Sequence, residues 1–151
     1  MAKKRRSKSK RKTTAAAVKP KPKAGGWGSR PLREYYEITK TPLLILLVWS
    51  VFGFFLNYMM LMLTAGFVGS ITAVMQLAAG VYIGHLTVSK FGDKISDAAI
   101  SGVLCGFIIG VLIMVFELLM GQLEMGVAAP VAGMLFVGVP AVIGAYIFKK
   151  K

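Results

Sequence analysis

The chain has 151 residues, 56% of them hydrophobic, yet its formal net charge is +13. A water-soluble domain this apolar would not also be this basic, and the two properties separate along the chain. Residues 1–40 hold 14 of the 19 Lys and Arg, and residues 43–148 are nearly uncharged. The one cysteine, Cys105, excludes an internal disulfide, and no metal-ligand spacing occurs, so neither a metal nor another cofactor is expected.

Residues 1–24 read MAKKRRSKSKRKTTAAAVKPKPKA. Lys3, Lys4, Arg5, Arg6, Lys8, Lys10, Arg11 and Lys12 place eight cations in ten residues, followed by alternating Lys and Pro. With no apolar face to bury, this segment reads as a disordered basic arm. A secretory signal is not expected, because no apolar run of about 7–15 residues follows the first charges. The segment 25–42 then mixes Arg30, Arg33 and Lys40 with Trp27, Tyr35 and Tyr36. Rings and cations together suit a juxtamembrane position at headgroup level.

Four apolar segments follow, at 43–63, 67–89, 98–120 and 128–148. Each has the ~20 residues that a helix needs to cross ~30 Å of hydrocarbon. Runs this continuously apolar read as helices, not as the alternating strands of a barrel. Thr41 and Pro42 predict the cap and first turn of the first helix, and Ser96 and Asp97 do the same for the third. Pro130 falls in the first turn of the fourth, and Pro140 kinks it further on. The connections TAG (64–66), KFGDKISD (90–97) and GQLEMGV (121–127) are short, which makes neighbouring helices antiparallel.

The expected fold is therefore all-α, a polytopic antiparallel bundle of four transmembrane helices with a disordered basic N-terminal arm and a basic tail at 149–151. Every cation falls in the arm and segment 1–40, at Lys90 and Lys94, or at Lys149, Lys150 and Lys151. The connections at 64–66 and 121–127 carry none, so the positive-inside rule places both termini in the cytoplasm and the protein in the cell membrane.

Glycine is a poor helix former in water, yet Gly102, Gly106 and Gly110 recur at every fourth position of the third segment. In lipid, helices associate through close backbone approach at small residues, so such a stripe marks packing. Gly69, Ala73, Gly80 and Gly84 form the stripe of the second segment. Ala129, Gly133, Pro140 and Gly144 form that of the fourth, and Ser50, Gly53 and Asn57 that of the first. A stripe of this kind also serves as the interface of a homo-oligomer. The segments AGVYIGH (79–85) and IGAYIFK (143–149) are faintly alike, as in a duplicated hairpin.

Three polar residues sit on these faces. Asn57 and Gln76 fall at similar depth, within ~5 Å by helical rise, and predict an interhelical hydrogen bond. Glu117 continues the glycine stripe seven residues after Gly110, pointing into the bundle near its outer end. Intramembrane acids mark functional sites or reach out to the interface. His85 lies on the opposite face from Gln76 and reads as interfacial, and Cys105 as a small packing residue. No nucleophile–base pair and no phosphate-binding lysine after a glycine loop occurs, so an enzyme is not expected.

The stretch GVYIGHLTVSKFGDKISDAAISGVLCGFIIGVL (80–112) resembles small, glycine-rich, four-helix membrane proteins, mostly archaeal, grouped under a domain of unknown function. The resemblance covers at most residues 67–148, and SDAA at 96–99 departs from it in lacking a glycine. It implies a prokaryotic cell membrane and carries over no functional residue.

Two functions follow as expectations. The first is a non-enzymatic integral membrane anchor or scaffold whose cytoplasmic arm contacts anionic headgroups or nucleic acid. The alternative is a small oligomeric transporter or channel subunit using Asn57, Gln76 and Glu117. The former would depend on residues 1–24 and the latter on Glu117.

Overall fold

The computed structural model describes residues 30–59, 65–92 and 94–149. The basic arm with its eight clustered cations, Trp27, Asp93, Lys150 and Lys151 lie outside these described residues. The chain is all-α, with four helices: α1 Leu32–Met59, α2 Ala65–Phe91, α3 Ile95–Leu119 and α4 Leu123–Lys149. Each contains a stretch long and apolar enough to cross a membrane.

The helices run further than the apolar segments that announce them. α1 starts eleven residues before Leu43. Its buried positions, Tyr35, Ile38, Thr39, Pro42, Leu43, Leu46, Ser50 and Gly53, recur three or four apart. One inward stripe thus runs unbroken from the polar segment into the apolar one, and the helix follows it. Thr41 and Pro42 are therefore not the start of α1: Pro42 is internal and buried. In α3 the cap is Lys94, which makes no side-chain cap hydrogen bond, and Ser96 and Asp97 lie inside the first turn. In α4, Pro130 is eight residues in, not in the first turn, and Pro140 is internal as expected.

Two glycines end helices. Gly92 has φ 80° and Gly121 has φ 77°, a region open to glycine but strained for other residues. After α3 the amide of Gly121 donates to the Leu118 carbonyl (3.1 Å) and that of Gln122 to the Glu117 carbonyl (2.9 Å). This paired pattern satisfies carbonyls that would otherwise be orphaned at the helix end.

Large apolar side chains face outward: Leu44 is 63% exposed, Val48 60%, Val131 60% and Leu135 59%. The interior is built largely of small residues, with Ala98, Cys105, Ala141 and Ala145 fully enclosed and Ile38, Leu46, Ile83, Ile109 and Val137 filling the rest. An apolar exterior this extensive is the kind of surface that meets lipid or a partner. Buried hydroxyls bond within their own helices: Thr87 Oγ1 donates to the Ile83 carbonyl (2.8 Å) and Ser101 Oγ to the Asp97 carbonyl (2.8 Å). That removes the penalty of an unsatisfied polar group in an apolar interior.

Backbone approach at glycine organises three of the helices. Along α3, Gly102 meets Val137, Gly138 and Ala141, Gly106 meets Gly133 and Met134, and Gly110 meets Ala129 and Pro130. Along α2, Gly80 meets Val137, Pro140 and Ala141, and Gly84 meets Ala141, Gly144 and Ala145. α4 is thus the shared element, with α2 on one side and α3 on the other. The two segments noted as alike lie against each other, with Gly84 on Gly144 and the His85 ring 4.4 Å from that of Phe148. α1 packs on α2 and α3 and does not approach α4.

Candidate functional site

At the end of the molecule where α1 finishes and α4 begins, the helices part around a cavity of about 770 Å³. The small faces of α1 and α2 make one side, with Ser50, Gly53 and Asn57 from the first and Gly69, Thr72, Ala73 and Gln76 from the second. α3 contributes Ile113, Phe116 and Glu117, and α4 contributes Ala129, Ala132, Gly133 and Phe136. The three polar residues singled out by their helical faces, Asn57, Gln76 and Glu117, therefore line one space although they come from three helices.

This corrects the reading of the second stripe. A Cβ at Gly69 would meet nothing within 4 Å, so Gly69 makes no close helix contact. Gly69 and Ala73 instead line the cavity. Gly80 and Gly84, further along the same helix, do pack: a Cβ at Gly80 would stand 2.5 Å from the Val137 carbonyl oxygen, and one at Gly84 would fall on that of Ala141. One face of small residues thus closes the bundle at one end and leaves space at the other. Gly102, Gly106, Gly110, Gly133 and Gly144 all stand at backbone contacts, as their spacing predicts.

The expected hydrogen bond between Asn57 and Gln76 does not satisfy the Asn57 amide oxygen. Asn57 Oδ1 is buried without a hydrogen-bond partner among the described residues. The reason is register: Trp49 meets Thr72 and Gly53 meets Val68, so Asn57 lies level with the start of α2 and Gln76 falls ~18 Å away along it, not at similar depth. Gln76 is only 6% exposed. Among the described residues no lysine, arginine or histidine lines the cavity, and Glu117 is its one carboxylate. Much of the remaining wall is aromatic or aliphatic, including the Phe54 and Phe116 rings stacked at 4.5 Å. The wall is tied on one side by Trp49 Nε1, which donates to Thr72 Oγ1 (2.9 Å) and joins α1 to α2.

A second polar cluster lies at the opposite end of α1, and helix reading missed it. Tyr35 Oη donates to Asp97 Oδ1 (2.9 Å), and Arg30 Nε to Asp97 Oδ2 (3.3 Å). Arg30 also pairs with Glu34 (3.0 Å), and its guanidinium carbon lies 4.1 Å above the Phe91 ring. Tyr35 meets the same ring edge-on at 6.0 Å. Asp97 and Tyr35 are each 1% exposed, so this is an interior knot joining α1, α2 and α3. Burial on its own would lower the Arg30 pKa, but the hydrogen bonds to Glu34 and Asp97 outweigh it and hold the guanidinium above its ordinary value. Sequence spacing could not join these residues, since Tyr35 and Asp97 are 62 positions apart. The available signal was an acid in the first turn of an apolar helix, read there as a cap.

Among the described residues no group of three or more His, Cys, Asp or Glu could hold a metal ion. No protein-family model, curated protein or solved structure matches the chain. The resemblance of residues 80–112 therefore rests on those residues alone.

Proposed function

We propose that the chain is a non-enzymatic, multi-pass integral membrane protein, an antiparallel four-helix bundle whose cavity holds a small solute, as in a small oligomeric transporter or channel subunit. The observation that carries this reading is the convergence of Asn57, Gln76 and Glu117 on one cavity of about 770 Å³. Binding sites for small organic molecules commonly occupy ~300–1,000 Å³ and combine an apolar wall with a few polar groups. The antiparallel arrangement is supported by the order of contacts: successive glycines of α3 meet progressively earlier residues of α4. The cations at 1–40, 90–94 and 149–151 favour a cytoplasmic location for both termini, in the cell membrane.

The test is access. In a Cys105→Ala background, a cysteine at Ala73 should react with a small maleimide in the folded protein, and one at fully buried Ala98 should not. Equal inertness of the two would remove the cavity. Single cysteines at Gly66 and Gln122 should be labelled from outside the cell and at Gly92 only from the cytoplasm. Labelling of Gln122 from the cytoplasm alone would sink the topology.

A second reading, an anchor or scaffold acting through its arm, is favoured by the eight cations at residues 3–12. Anionic headgroups are its first partner, at ~1 kcal/mol per cation near the surface, and nucleic acid its second. Held in neutral-lipid nanodiscs, the full chain should bind RNA with little sequence preference, and a chain lacking residues 1–24 should not. That binding should collapse between ~0.05 and ~0.5 M salt. Retention at ~1 M salt would refute the electrostatic account.

A further inference from the structure

The cavity's chemistry narrows what it can hold, and the inference rests on the cavity reading given above. We propose that the cavity takes an amphiphilic organic monocation: one positive centre set in an aromatic or aliphatic body, entering sideways between α1 and α4. Three observations combine. Among the described residues the single formal charge on the wall is the Glu117 carboxylate, which meets no cationic partner there. Asn57 lines the same cavity, but its Oδ1 is itself buried, so it adds neither charge nor an open acceptor. The wall thus carries one negative charge that is unmatched among the described residues. A ligand that supplies positive charge matches it, whereas an anion would be repelled by Glu117.

The rest of the wall sets the body of the ligand. Phe54, Phe116 and Phe136 present ring surface, and an aromatic ring face attracts a cation as well as an apolar group. A bare metal ion finds too few oxygen ligands here, and a sugar or a peptide would lose its hydrogen bonds with water against the rings. The route follows from helix arrangement. α1 and α4 both line the cavity, yet they do not approach each other, so the wall is broken between them. Large side chains that line the cavity on these two helices are themselves open to the outside, with Tyr58 64% exposed on α1 and Phe136 44% exposed on α4. A molecule already dissolved in the surrounding lipid meets the opening without first crossing water.

Two probes of one shape and opposite charge test this directly. The full-length protein in phosphatidylcholine nanodiscs is titrated with tetraphenylphosphonium and, separately, with tetraphenylborate, and binding to empty discs is subtracted. Saturable binding of tetraphenylphosphonium without tetraphenylborate is expected. Glu117→Gln should weaken it by roughly 10- to 100-fold, the loss expected when a cation in a partly buried site loses its one opposite charge. Its melting temperature should stay within a few degrees of the parent's, because among the described residues no ion pair of the fold involves the Glu117 carboxylate, and glutamine keeps its shape. Glu124→Gln, outside the cavity, should bind like the parent. Equal binding of both ions, abolished by the cavity-filling Ala73→Phe, would overturn the monocation proposal and leave the cavity reading standing. Binding of tetraphenylphosphonium unchanged in both Glu117→Gln and Ala73→Phe would overturn both. Binding of neither ion above empty discs would overturn the monocation proposal, and the maleimide experiment on Ala73 then decides the cavity separately.

Discussion

Gly106→Leu should destabilise the protein by ~3 kcal/mol or more, visible as loss of cooperative melting in mild detergent. Gly106 and Gly133 meet backbone to backbone, and even a methyl group on Gly106 would land on the Gly133 carbonyl oxygen. No flexible side chain stands in the way that could rotate aside; relief requires α3 and α4 to separate. The same separation would disturb α2, which packs on α4 through Gly80 and Gly84. Gly69→Ala is the contrasting variant. Its new methyl meets nothing within 4 Å, so it should melt within a degree or two of the parent, or above it, since alanine favours helix by ~1 kcal/mol. Equal damage from the two substitutions would mean that close approach at glycine does not hold the helices together.

The contrast shows what periodicity in a sequence can and cannot carry. Spacing at every fourth residue placed Gly69 and Gly106 in equivalent stripes. It records which residues share a face of one helix, and it is silent on how far away the neighbouring helix lies. The neighbours converge at Gly106 and diverge at Gly69, a tertiary property of α1 and α4 that no single helix encodes. The four helices were legible because long uncharged runs leave few alternatives. The start of α1 was not, because Arg33, Glu34, Glu37 and Lys40 break its hydropathy and Pro42 imitates a helix start. Its stripe from Tyr35 to Gly53 was nonetheless present at helical spacing. The convergence of Asn57, Gln76 and Glu117 was half legible: their faces were readable, but the register between α1 and α2, which sets Asn57 and Gln76 well apart along the bundle, was not.

Asp97→Ala should be the most damaging substitution of a polar residue, at ~3–5 kcal/mol, measured by the melting temperature or by resistance to denaturing detergent. The carboxylate is 1% exposed and accepts from both Tyr35 Oη and Arg30 Nε. Removing it leaves a phenol donor buried and a guanidinium held only by Glu34 and the Phe91 ring. Tyr35→Phe removes one donor and leaves Asp97 bonded to Arg30, so the loss should be ~1–2 kcal/mol. In the double variant Tyr35→Phe, Asp97→Ala, the phenol is no longer stranded, and the combined loss should fall short of the sum. Strict additivity would show that the two side chains do not act on each other. The Trp49–Thr72 bond gives an internal scale: Thr72→Val removes that interhelical hydrogen bond together with the hydroxyl's own donation to the Val68 carbonyl (2.8 Å), and should lose only ~0.6–2 kcal/mol.

The knot also fixes an order of events during synthesis. α1 is made before its partners α2 and α3, and Asp97 follows Tyr35 by 62 residues. At ~5–20 residues per second, Asp97 is made roughly 3–12 s after Tyr35. Throughout that interval α1 has at most α2 to pack on, and the Tyr35 hydroxyl has no acceptor on α3. Docking of α1 is thus completed only once α3 has begun, and a chain arrested before residue 97 would lack that fastening.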